Sequence, residues 1–186
     1  MFGWLATFGV HARARSTPVT QWLAVAPRPL IERLAQLGGV LYLALPRRES
    51  TDDVPLAGCL VEHAELAPLL CTRYVGLTCA VTSEGPREWI ECADDAGRLL
   101  ARIYLLPDTD YLAWDGLFVG GIPVDVPARW GKATDICGMA RARVLRFTRH
   151  RVAELDVLGS RPVSISILGQ GVARDIALSE SVAMSG

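Results

Sequence analysis

The groups able to do chemistry in this chain are few: three histidines (His11, His63, His150), five cysteines, and 19 basic residues of which only Lys132 is lysine. An imidazole or a thiolate can hold a metal, and a guanidinium presents a rigid fork of donors that suits carboxylate-bearing ligands. Spacing narrows these options. Cys59, Cys71, Cys79, Cys92 and Cys137 are odd in number and contain no C-x-x-C pair, which argues against a disulfide framework and a zinc ribbon. Cys79 and Cys92 fall within apolar alternating runs, where a thiol serves as a small hydrophobe. The paired acids Asp94-Asp95, and Asp108 with Asp110, read as turn and helix-cap residues rather than as an acid and base pair. There is no G-x-S-x-G, H-E-x-x-H or P-loop, and Gly169-x-Gly171 lacks the further glycine and the βαβ setting of a dinucleotide fingerprint. Binding rather than catalysis is the expectation.

The elements that must position these groups are organised around Trp89–Leu117. Ile90 and Cys92 alternate with Trp89 and Glu91, and Leu99, Ala101, Ile103 and Leu105 alternate with Arg98, Leu100, Arg102 and Tyr104, the period of two of half-buried strands. Asp94-Asp95-Ala96-Gly97 between them has the chemistry of a hairpin loop. Pro107 ends the second strand, and Asp108, Thr109 and Asp110 can cap a helix whose Tyr111, Trp114 and Phe118 form an aromatic stripe facing the sheet. Upstream, Leu30, Ile31, Leu34 and Leu37 form one face of a helix stopped by Gly38-Gly39, and Val40 to Leu45 is a short apolar strand. Val54 to Leu70 reads as strand then turn, Thr72 to Thr82 as a strand, and Val119 to Gly131 as a surface loop. Met139 to Leu155 fits helix and strand templates equally, and Val163 to Leu168, alternating with serines, reads as a strand.

These patterns predict an α+β fold: an antiparallel β-sheet with a central hairpin at Arg87 to Leu106 and flanking helices near 30–37 and 109–118. Residues 1–27 read as an N-terminal arm or helix and 28–186 as one domain. With 51% apolar residues, 21% charged residues and a net charge of -1, no global field draws the chain to nucleic acid or anionic membrane. The start, MFGWLATFGVHARARS, places its arginines after an apolar stretch too short to span a bilayer, a poor secretory signal; its composition leaves a mitochondrial-type presequence open. A reducing compartment fits the odd cysteines.

The order strand, D-x-x-G, strand ending in an aromatic, then T-D and an aromatic-anchored helix resembles the hairpin of the cytoplasmic haem-utilisation proteins of bacteria, the hemin-transport and hemin-degrading family. Pro29 to Leu45 is similar to that family's helix, its L-G and the following strand, and Leu69 to Val81 to its basic, aromatic-containing strand. The likeness covers about residues 28–117, roughly one of the two halves of the long members. It implies a cytoplasmic haem-binding protein with a carrier or storage role in haem uptake, haem as partner, and a protein partner in uptake. No membrane association is implied, and a homodimer is left open.

Haem needs an apolar slot, an axial donor for iron and cations near its propionates. His63, close to the matched strand, is the expected metal ligand; Arg73, Tyr74 and Arg102 are the expected cofactor-binding residues. The family's histidine motif aligns with none of the three histidines, its T-R-N-type motif is Pro46-Arg47-Arg48 here, and its H-K pair is Ala101-Arg102. The other reading is a scaffold domain of the same fold that has lost haem and offers the arginines of 141–151 to an acidic protein partner; nucleic acid is a distant third.

Overall fold

The computed structural model describes residues 19–45, 58–82, 85–125 and 141–185. His11, Cys137 and the Pro46-Arg47-Arg48 motif lie outside them. The described chain is a mixed α+β structure in which few helices pack on one large sheet. Its ten strands are β1 (Val19–Ala24), β2 (Val40–Ala44), β3 (Cys59–Val61), β4 (Tyr74–Thr82), β5 (Gly85–Ala93), β6 (Leu99–Tyr104), β7 (Ile122–Pro123), β8 (Arg141–Val152), β9 (Leu155–Pro162) and β10 (Ala183–Met184). The helices are α1 (Pro27–Leu34), α2 (Tyr111–Gly116) and α3 (Ile167–Ser179), with a 3-10 helix at Ala64–Cys71.

Across the sheet the order is β3, β9, β8, β2, β6, β5, β4, β1, β7, and β10 pairs with β8. The sheet is not antiparallel throughout: β3 runs parallel to β9 and β10 parallel to β8. Side-chain alternation is common to both kinds of pairing, so the pattern that predicts a strand does not carry its direction. β1 begins the sheet upstream of Pro27, within the stretch that reads as an arm, and pairs with β4 from Val19 opposite Cys79 to Ala24 opposite Tyr74. From Arg141 onward the stretch that fits helix and strand templates equally is strand, because β8 finds partners in both β2 and β9.

One core lies between the sheet and α1, α2 and the 3-10 helix, built on Leu30, Leu34, Tyr42, Leu69, Ile90, Ile103, Trp114 and Phe147. A second lies on the opposite face, where Ala173, Ile176 and Ala177 of α3 cover Leu41, Leu43, Tyr104 and Ala142. β2 is therefore buried on both faces, which is why its sequence is an unbroken apolar run. α3 corrects the strand expected at Val163–Leu168. Ser166 is its N-cap, accepting from Gly169 N at 3.0 Å, and Asp108 fixes Ser166 by accepting from its N at 2.8 Å and its Oγ at 2.9 Å.

Between β5 and β6 the buried Asp94 accepts from Ala96 N, Arg98 N and Arg98 Nε at 2.9, 2.8 and 2.6 Å, and Gly97 takes φ +77°. After β6, the buried Thr109 donates through Oγ1 to Gly39 O at 2.7 Å and accepts from Leu106 N at 2.9 Å, pinning the approach to α2 against β2. Asp110 caps α2 by accepting from Ala113 N at 3.0 Å.

Candidate functional site

The turn after β6 and the first residue of α2 form one wall of a groove at the end of the sheet. Its other walls are the far ends of β4 and β5 and, through Val172, α3. The groove has a volume of about 590 Å³ and a mostly apolar lining, within the size range of small-molecule sites. Val81, Leu106 and Pro107 supply apolar surface, and Cys79, Arg87 and Tyr111 supply the groups able to do chemistry.

Local structure explains each of these. Trp114, buried beneath the groove, donates from Nε1 to Glu88 Oε1 at 2.7 Å, which fixes the Glu88 carboxylate in the lining. Trp114 also meets Phe118 edge to face at 6.5 Å, so these two members of the aromatic stripe turn toward the core. Tyr111 does not. As the first residue of α2 it is 56% exposed and faces the groove, a correction to the stripe expected to pack on the sheet. Arg87 on β5 donates to Ser179 Oγ of α3 at 3.1 Å, joining two walls. The Cys79 thiol is pushed up by partial burial and then by the Glu88 carboxylate, and so stays protonated at neutral pH.

The residues expected from sequence do not converge on this groove. His63 is exposed and precedes the 3-10 helix, which packs on the Tyr42 face of the sheet through a 2.7 Å hydrogen bond from Tyr42 Oη to Glu65 O. Arg102 lies on the opposite face, nearly buried, bonded through Nε to Glu91 Oε1 at 2.8 Å and through Nη1 to Glu180 Oε2 at 2.8 Å. The sheet stands between them, so one flat ligand cannot touch both. Tyr74 opens β4 on the Arg102 face, half-buried, and Arg73 before it donates from Nη1 to Thr72 O at 3.2 Å. Among the described residues no three His, Cys, Asp or Glu side chains gather as a metal site, and no helix is long and apolar enough to cross a membrane.

Comparison with known proteins adds likeness at the level of solved structures. No protein family and no curated protein matches the chain. It is similar to the Escherichia coli O157:H7 heme degrading enzyme ChuS, with a TM-score of 0.41 and 17% identity over 62% of this chain and 38% of that one. A second structure of ChuS, described as an E. coli heme oxygenase, gives a TM-score of 0.35 and 15% identity over 58% of this chain and 37% of that one. The chain spans less than two fifths of the length of either.

Sequence reasoning missed the groove because its lining comes from five separate segments, Val19 of β1 among them. The signal that existed was Tyr111 itself. An aromatic at the first position of a six-residue helix, directly after its Asp110 cap, lies too near the end to be carried into the core with Trp114.

Proposed function

We propose that this chain binds haem in the groove between β4, β5, the β6–α2 turn and α3, in a cytoplasmic carrier or storage role in haem uptake. The observation that carries this reading is the composition of the groove: a mostly apolar slot of about 590 Å³ holding one accessible phenol, Tyr111, and one guanidinium, Arg87. The residues fit the group. A porphyrin brings its own four nitrogens to iron, so a protein site needs no cluster of metal-binding side chains, only an axial donor and apolar walls. Tyr111 would supply the axial oxygen, Arg87 a cation for a propionate, and Val81, Leu106 and Val172 the contact with the ring. Cys79 is the weaker donor, since its thiol stays protonated beside Glu88. Bound haem supplies an iron centre whose chemistry is its own; the chain's part is to hold the ring, orient its propionates and exclude water.

The sequence resemblance over residues 28–117 supports the same ligand. The His63 ligand read from sequence becomes a second proposal for the donor, at a distinct surface on the Tyr42 side of the sheet. The test is equilibrium binding of haemin to the full chain and to Ala80→Trp, whose larger side chain fills the groove. Saturable binding by wild type, weakened at least about tenfold by the block, is expected, equivalent to ~1.4 kcal/mol or more. Equal binding by both proteins places haem outside the groove. Absence of saturable binding by wild type overturns the haem reading and leaves the scaffold reading in its place.

A further inference from the structure

On the face of the sheet that carries α3, Arg146 of β8 stands directly opposite Arg161 of β9. Both are exposed, and like charges in directly opposed positions destabilise a sheet pair. Several other arginines on and around β8 are matched with carboxylates, though among the described residues Arg141 has no such match. Arg143 pairs with Glu65, Arg149 with Asp156 at 2.9 Å and Glu32 at 3.1 Å, and Arg28 with Asp156 at 2.6 Å. Among the described residues no acid is paired with Arg146 or Arg161.

Gly38, at φ +75°, lies beside the Arg146 guanidinium: a Cβ there would lie 4.0 Å from Arg146 Nη2 and 3.3 Å from Asp108 O. The acids of that neighbouring turn are engaged elsewhere, Asp108 by Ser166 and Asp110 by Ala113. Two forked donors are thus held on directly opposed residues of one sheet face by the strand register, against their mutual repulsion. An oxyanion would relieve the repulsion and accept from both.

We propose that Arg146 and Arg161 form a receptor for one oxyanion group, a phosphate or carboxylate carried by a small ligand. This site is separate from the groove and does not depend on haem. The probes are inorganic phosphate and acetate, each titrated into the isotope-labelled full chain against sodium chloride at matched ionic strength, with the arginine Nε–Hε resonances followed. The expected result is a saturable shift of the Arg146 and Arg161 signals while that of the exposed Arg174 stays in place. Saturation by phosphate alone assigns a phosphate ligand and saturation by both probes assigns any oxyanion; either upholds the receptor.

Two variants complete the test. Arg146→Glu converts the opposed pair to an attractive one, so its thermal midpoint rises while the anion response disappears. Arg161→Gln keeps the fold and weakens anion binding at least about tenfold. Shifts that chloride reproduces, shifts shared equally by Arg174, or a response that survives in Arg146→Glu would each overturn the proposal.

Discussion

Arg102 in β6 and Glu180 at the end of α3, 78 residues apart in sequence, are joined by a hydrogen-bonded ion pair of 2.8 Å. Tyr104 donates its hydroxyl to the other Glu180 oxygen, and Glu91 takes the remaining side of the guanidinium at 2.7 Å. The side chains of Arg102, Glu91 and Glu180 are 10%, 8% and 21% exposed, so one arginine holds two sheltered carboxylates and ties down a helix whose docking face is mostly small residues.

Arg102→Ala should therefore destabilise the fold by about 3–5 kcal/mol, the usual cost of breaking a buried pair by removing one partner. Urea unfolding measures that loss, and haemin affinity per folded molecule should change by less than about twofold. If Arg102→Ala instead lost haemin binding at unchanged stability, Arg102 would belong to the ligand site that sequence alone suggests.

Alkaline pH should weaken the protein before it touches the ion pairs. Burial pushes the Cys92 thiol from its ordinary 9.0 up to about 12, and burial likewise raises the Tyr42 and Tyr104 phenols above their ordinary 10.0. These groups are held neutral in the folded chain. Their contribution is fully present below pH 9.0 and is lost as the pH rises toward about 12, where the unfolded chain ionises and the folded one resists. Each titrating group withdraws about 1.4 kcal/mol per pH unit in its window. Urea midpoints measured from about pH 8 to about pH 11 should fall with increasing slope, and Cys92→Ala should flatten the onset. A flat profile would contradict the burial of these groups.

Gly76 lies under the indole of Trp22, where a Cβ would sit 2.9 Å from the ring. Gly76→Ala must push Trp22 off β4, at a cost of about 1–3 kcal/mol, and loosen β1, whose partner through six residue pairs is β4. The measurement is tryptophan emission together with thermal unfolding: a red-shifted spectrum and a lower midpoint are expected. An unshifted spectrum at unchanged midpoint would mean that the ring has room to give.

The parts of the fold legible in sequence are those whose cause is local. The Asp94 to Gly97 turn, the Asp110 cap and the apolar face of α1 each follow from residues within a few positions of one another. The parts that were not legible have distant causes. α3 begins with Ser166 bonded to Asp108, 58 residues away, and carries Gly169 where a Cβ would run into the Asp108 carboxylate. The serine alternation of Val163 to Leu168 describes the extended approach to that cap and contains no trace of the partner. The expected site residues were divided between the two faces for the same reason, since periodicity assigns a residue to a face only relative to its own strand. His63 and Arg102 fall on opposite sides of one sheet.

The most direct test of the haem assignment is the Soret spectrum during stoichiometric haemin titration of wild type, Tyr111→Phe and His63→Ala. Removing an axial donor changes iron's coordination and hence band position, whereas removing a surface imidazole leaves it alone. The account predicts a saturating band for wild type, a displaced band for Tyr111→Phe and an unchanged one for His63→Ala. A wild-type absorbance that never saturates, or a band displaced by His63→Ala and untouched by Tyr111→Phe, would contradict it.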